Sequence, residues 1–162
     1  MIGRTRSTPS QDPPHPAVRR ADHVGFSVAS LEASLAFWVE GLGAHLVRTG
    51  EMGGDFLRQV TGARDAQVRM AILSLAGQSI ELLEFNGPDR PAAPSRPFDA
   101  GFAHLALVVD DIDAVLARIA AYDWRPKGTP QTMTTGARAG TRVIYAAGPD
   151  GATIEFMQPP SA

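Results

Sequence analysis

The chain contains the same pattern twice. HVGFSVASLEASLAFW starts at His23 and HLALVVDDIDAVLARI starts at His104. In each, a histidine leads an apolar strand, a polar cap follows (Ala29-Ser30 in one, Asp110-Asp111 in the other), and helix-spaced apolar residues come next. Leu31, Leu35, Trp38 and Leu42 form the first stripe; Ile112, Leu116 and Ile119 form the second. Gly41 and Gly43 are expected to stop the first helix. The ends match as well: SIELLEF (79–85) and TIEFMQ (153–158) place Glu81 opposite Glu155. LVRTG (46–50), VRMAILSL (68–75) and TRVIYAAG (141–148) read as further strands, with a weaker one near Trp124–Thr129, and GPDG (148–151) as the turn into the last. Duplication of this kind restricts the fold to two copies of one βαβββ unit, an α+β architecture with each helix on one face of a small sheet.

Composition and punctuation set the boundaries. Residues 1–20, rich in Pro, Arg and Ser, read as a disordered tail. The first module spans 21–85, a Pro-rich linker spans 86–100, and the second module spans 101–158. With 44% hydrophobic and 20% charged residues, a packed core is expected. A net charge of −2 without a basic block argues against nucleic acid or an anionic membrane as partner. No stretch has the length of a signal peptide core or a membrane helix, so a cytoplasmic location is expected. The absence of cysteine excludes thiolate ligands, disulfides and a cysteine nucleophile. GEMGGD (50–55) lacks the Lys-Ser/Thr of a phosphate loop and reads as an ordinary loop.

Strand alternation places His23 with Gly25 and Ser27, and His104 with Ala106, on the faces opposite the bulky residues. Small neighbours leave room there for a ligand. Glu81 sits within an apolar strand, where an ionised carboxylate needs compensation. If the histidine and glutamate faces turn into one cup, two imidazoles and two carboxylates converge. That N₂O₂ set suits one divalent ion: Ni, Zn, Co, Mn or Fe. Taken singly, each of the four is more often an ordinary hydrogen-bonded residue; their repetition at matching places favours the metal reading.

HVGFSVASLEASLAFWVEGLGAHLVRTG, SIELLEF, GFAHLALVVDDIDAVLARI and GPDGATIEF together resemble the vicinal-oxygen-chelate superfamily, which includes glyoxalase I, methylmalonyl-CoA epimerase, extradiol dioxygenases and fosfomycin and bleomycin resistance proteins. The resemblance covers about residues 21–158. It implies two βαβββ modules forming a cup-shaped, barrel-like sheet with the helices outside. His23, Glu81, His104 and Glu155 fall on the four metal positions of bacterial-type glyoxalase I. The implied activity is that of a metal-dependent lyase or isomerase: it removes a proton beside a carbonyl and stabilises an enediolate or enolate, with Glu155 or Glu81 as base. The small-molecule substrate would carry vicinal oxygens, a thiohemiacetal or a thioester. An iron-dependent extradiol dioxygenase using His23, His104 and Glu155, or a metal-free antibiotic-binding protein, are the alternatives. The superfamily builds its cup from one chain or from two, and a homodimer is expected.

Asn86 departs from the glyoxalase I pattern. It lies five residues past Glu81, one further than the glutathione-holding Asn of bacterial sequences, and reads as a turn-former before Gly87-Pro88. Segments 51–65 and 134–142 would rim the cup. Their Arg58, Arg64, Arg138 and Arg142 either meet a substrate carboxylate or, as is commoner, are simply solvated. Phe56 and Met133 would line an apolar wall or pack. His45 reads as a surface residue, and His15 lies in the tail.

Overall fold

A computed structural model describes residues 18–87 and 96–161. Residues 1–17 of the expected tail and 88–95 of the linker fall outside these. The first module comprises β1 (Val24–Ser27), α1 (Leu31–Leu35), a π-helical continuation (Ala36–Gly41), β2 (His45–Gly53), α2 (Gly54–Thr61), β3 (Gln67–Leu75) and β4 (Gln78–Asn86). The second comprises β5 (Leu105–Val108), α3 (Ile112–Ile119), a 3₁₀ turn (Ala120–Tyr122), β6 (Arg125–Pro126), β7 (Gln131–Thr132), β8 (Arg142–Ala147) and β9 (Thr153–Gln158). The sheet orders are β1-β4-β3-β2 and β5-β9-β8-β6, with β7 also on β8. In each, the first strand runs parallel to the last and forms one sheet edge. The α+β duplication is therefore present: α1 and α3 pack on the core face of their sheets, and α2 packs on the opposite face of the first sheet.

The expected caps form. Ser30 Oγ accepts from the Ala33 N–H at 3.2 Å, and Asp111 Oδ1 accepts from the Ala114 N–H at 3.0 Å. Beyond Leu35 the first helix widens: the Leu42 N–H reaches the Phe37 carbonyl at 3.0 Å. An α-helix turns by about 100° per residue, so neighbours rarely share a buried face; the π-type widening seats both Phe37 and Trp38 in the core. The turn then closes at Gly43, whose φ of +78° suits glycine. One local expectation fails and another is met only in part. GEMGGD is not a loop: β2 runs through Gly53 and α2 starts at Gly54, because Leu57 finds a buried seat on Leu83 and Phe85. The weak strand near Trp124 splits into β6 and β7, as Pro126 and Pro130 lack the N–H groups a longer ladder needs.

One hydrophobic core spans both modules. It joins Leu73, Ile80 and Leu82 of the first sheet, Phe37 and Trp38, Ile112 and Ile119 of α3, and Ile154 and Phe156 of the second sheet. The modules meet through their helical layers. Phe37 stacks on Trp124 with centroids 3.9 Å apart and planes 8° from parallel, and the Arg118 guanidinium donates to the Glu40 carbonyl. Gly148 permits this: a Cβ there would lie 2.7 Å from the Trp124 ring. Among the described residues, no helix is long and apolar enough to cross a membrane. Trp124→Ala empties the centre of the inter-module stack and is expected to lower unfolding free energy by about 3–5 kcal/mol. Urea denaturation followed by circular dichroism checks this; a loss below about 1 kcal/mol would mean the modules do not depend on that contact.

Candidate metal centre

Sheet register fixes which side chains share the concave faces. In the first sheet, Gly25, Glu81, Ile72 and Arg48 lie in one row across β1, β4, β3 and β2. In the second, Ala106, Glu155 and Tyr145 form the corresponding row. SIELLEF thus divides its two acids. Glu81 faces away from α1, on the side where α2 covers Leu83 and Phe85. Glu84 faces α1, is 8% exposed, and accepts the Leu31 N–H at 2.6 Å at the start of that helix. Arg69 bridges Glu84 and Glu32.

The partner of Glu81 is His23: Nε2 and Oε2 lie 3.2 Å apart. The second half repeats this, with His104 Nε2 3.1 Å from Glu155 Oε2. The glutamates are 17% exposed, and the histidines 39% and 31%. Two cis ligands at about 2.1 Å from a common ion stand roughly 3.0–3.4 Å apart, so each pair fits one edge of a coordination polyhedron. Histidine chemistry points the same way in the first half. His23 Nδ1 lies 3.1 Å from Asp22 Oδ2, and the imidazole and then Arg20 hold the Asp22 carboxyl below its ordinary pKa. With Nδ1–H donated to Asp22, Nε2 turns a lone pair towards a carboxylate, and a proton or a metal ion must lie between them.

The chain brings the four candidate ligands together in two pairs. Among the described residues, no three His, Asp or Glu side chains form a group able to hold a metal. The first helix and α3 pack into the shared core against Ile80, Leu82, Ile154 and Phe156, so Glu81 and Glu155 lie on the faces that core leaves uncovered.

The halves differ around their pairs. Tyr145 Oη lies 3.3 Å from His104 Nε2, and its ring lies 4.7 Å from the imidazole, with Phe102 beyond. Burial, then the Glu155 charge, raises the Tyr145 pKa above its usual value. Its counterpart in the first row is Ile72. Sequence reasoning missed Asp22, Phe102 and Tyr145. The hairpin turn GPDG did carry the signal for Tyr145, since folding β8 onto β9 about that turn sets Tyr145 opposite Glu155.

The rim residues separate. Arg58 pairs with Asp55 at 2.8 Å. Arg142 lies on the helix side and pairs with Asp113 at 2.9 Å. Arg138 leans onto Met157, with Nη1 3.4 Å from Sδ, on the Glu155 face. Arg64 borders an open pocket of ≈ 530 Å³ with Thr61 and Phe85. Phe56 is exposed. Asn86 lies on the helix side, its amide 3.5 Å from Glu84 Oε1, and is not directed at Glu81. His45 is exposed at the start of β2.

Two βαβββ modules, each carrying a His–Glu pair on its concave sheet face, define an α+β protein of the vicinal-oxygen-chelate architecture. The chain belongs to the Glyoxalase/Bleomycin resistance protein/Dioxygenase superfamily, whose family pattern matches residues 20–156. It is 33% identical over 151 residues to a 2-epi-5-epi-valiolone epimerase of Actinomyces sp, covering 90% of this chain and 82% of that protein. A glyoxalase family protein of Bacillus cereus superposes with a TM-score of 0.76 at 22% identity, covering 91% of this chain and 98% of that one. The fosfomycin resistance protein FosX of Listeria monocytogenes, solved with Mn(II) and sulfate, gives a TM-score of 0.59 at 17% identity, covering 89% and 95%.

The Tyr145 environment is open to direct measurement. In a Tyr122→Phe background, Tyr145 is the remaining tyrosine and its ionisation can be followed by ultraviolet absorbance. The wild-type midpoint is expected above 10, and Glu155→Gln is expected to lower it by removing the like charge, leaving the burial effect. An unmoved midpoint would separate Tyr145 from Glu155.

Proposed function

We propose that this chain is a divalent-metal-dependent isomerase or lyase acting beside a carbonyl, with each centre built between two copies: His23 and Glu81 from one, His104 and Glu155 from the other. The observation that carries this reading is the pair of matched His–Glu sets, each at ligand-edge spacing and each incomplete. Strand position supports it. β1 and β5, which carry the histidines, are both sheet edges, and Val108 on the His104 face is 71% exposed. Setting β1 of one copy beside β5 of another would pair both edges and join two half-cups into one. The epimerase relative and the Mn(II)-containing FosX support the reaction class and the metal.

A divalent ion bound there supplies Lewis-acid polarisation of a substrate carbonyl, which acidifies the neighbouring C–H. The chain's own groups do the rest. One of the two carboxylates, Glu155 or Glu81, removes the proton beside the carbonyl and returns it to that carbon or its neighbour. Asp22 orients His23, and Phe102 and Tyr145 orient His104. The Tyr145 hydroxyl donates towards substrate oxygen once His104 Nε2 is occupied. The asymmetry between Tyr145 and Ile72 makes the two faces of a bound substrate chemically unequal, as an epimerisation requires.

Two single variants test the assembly. His23→Ala and His104→Ala are each expected to lose Ni²⁺ retained after desalting, measured by elemental analysis. Refolded together, they recover about a quarter of the wild-type sites, because half the dimers are mixed and each mixed dimer has one intact centre of two. No recovery from two folded variants sinks the shared centre. Glu81→Gln is expected to weaken metal retention by at least about tenfold; full retention would remove Glu81 from the ligand set. For the reaction, metal-loaded protein in D₂O is offered α-hydroxyketones, both neutral (2-epi-5-epi-valiolone) and phosphate-bearing, and deuterium is sought by NMR at the carbon next to the carbonyl. Oxygen uptake with a catechol and no exchange would point to the dioxygenase reading instead.

A further inference from the structure

The two concave rows have a common end. Backbone pairing beyond β6 continues through the Lys127 N–H, which donates to the Tyr145 carbonyl at 2.7 Å. Lys127 therefore takes the place opposite Tyr145, on the same face. The rows read Gly25, Glu81, Ile72, Arg48 in one half and Ala106, Glu155, Tyr145, Lys127 in the other. Each places a cation two strands from the glutamate, roughly 10 Å across the sheet. The two modules differ at most positions in these rows yet share the glutamate and the terminal cation.

These cations are left unpaired. Arg48 and Lys127 are exposed, and neither side chain has a hydrogen-bond or ion-pair partner among the described residues. The strand arginines on the helix side behave differently: Arg69 reaches Glu32 and Glu84, and Arg142 reaches Asp113. Arg138, seated on Met157, adds a third positive group to the Glu155 face. Two carboxylates neutralise one divalent ion, so a centre built as proposed above keeps a net positive charge from Arg48 and Lys127. A neutral ligand leaves that charge uncompensated in a half-enclosed cup, whereas an anionic one satisfies it.

Resting on the metal-centre reading, we propose that Arg48 and Lys127 select substrates whose vicinal oxygens are flanked by an oxyanion group, a carboxylate or a phosphate. The two side chains sit at opposite ends of the composite cup and act on substrate affinity, leaving proton transfer to the glutamates.

The test compares two chelators with the same vicinal oxygens, acetohydroxamate and phosphoglycolohydroxamate, on Co²⁺-loaded protein, read by the cobalt absorption spectrum and calorimetry. The phosphate-bearing probe is expected to bind at least about tenfold more tightly, with an advantage that shrinks in high salt. Arg48→Met and Lys127→Met should each reduce that advantage, and the double variant should abolish it while acetohydroxamate binding stays unchanged. Equal affinities in the wild type, or an advantage that survives in the double variant, overturn the proposal. A parallel arm uses metal-free protein with 2-phosphoglycolate against glycolate. If acetohydroxamate leaves the cobalt spectrum unchanged, the metal-centre reading fails. Anion selection then stands if the metal-free protein prefers 2-phosphoglycolate and the double variant does not; it falls if no such preference exists.

Discussion

The contact between the two helical layers governs the rest of the molecule. Phe37 lies flat on Trp124, Gly148 leaves room for the indole, and Ile112 and Ile119 close the same core. Burying four bulky apolar groups at about 1.5–3 kcal/mol each outweighs anything a lone His–Glu pair offers. The modules therefore join back to back, and their polar faces turn outward as a consequence. A closed intrachain cup would have to expose this shared core or cover it with other helices. The two His–Glu pairs are thus separated by the dominant apolar term.

Much of this was legible in the sequence because duplication is a long-range signal. Ser30 and Asp111 announce their helices, and the strand faces of His23, Glu81, His104 and Glu155 follow from alternation alone. What stayed hidden has physical reasons. The helix α2 has few apolar residues, and only the seat of Leu57 on Leu83 and Phe85 makes it pay. The π-type widening depends on tertiary demand for two adjacent aromatics, which local propensity does not encode. The relation between the two halves is set by which apolar faces meet, and both modules present similar stripes. A one-chain and a two-chain cup therefore have the same strand pattern, and sequence periodicity does not separate them.

Glu81 and Glu84 show how position decides the use of one residue type. Three residues apart on β4, they lie on opposite faces. Glu84, nearly dry, is matched by a backbone N–H and by Arg69, so its charge is satisfied within the chain. Among the described residues, Glu81 has the imidazole of His23 as its one polar partner. A buried acid with a complete set of partners stabilises a fold. An acid with one partner and an open side retains binding capacity. The same contrast separates Arg69 and Arg142 from Arg48, whose side chain has no hydrogen-bond or ion-pair partner among the described residues.

Under the shared-centre reading, assembly and metal binding become one equilibrium. Two ligands hold a divalent ion weakly, and four hold it well, because each added ligand acts on an ion already localised. A single copy then binds metal poorly, and metal in turn favours the paired state, by the same free energy in both directions. This linkage also accounts for a pair of exposed edge strands. β1 and β5 are short, at four residues each, and begin beside histidines. Edges so brief add little ladder energy by themselves, which limits indiscriminate pairing. They become a specific joint only when an ion bridges the two His–Glu sets, so correct pairing and a complete centre select each other.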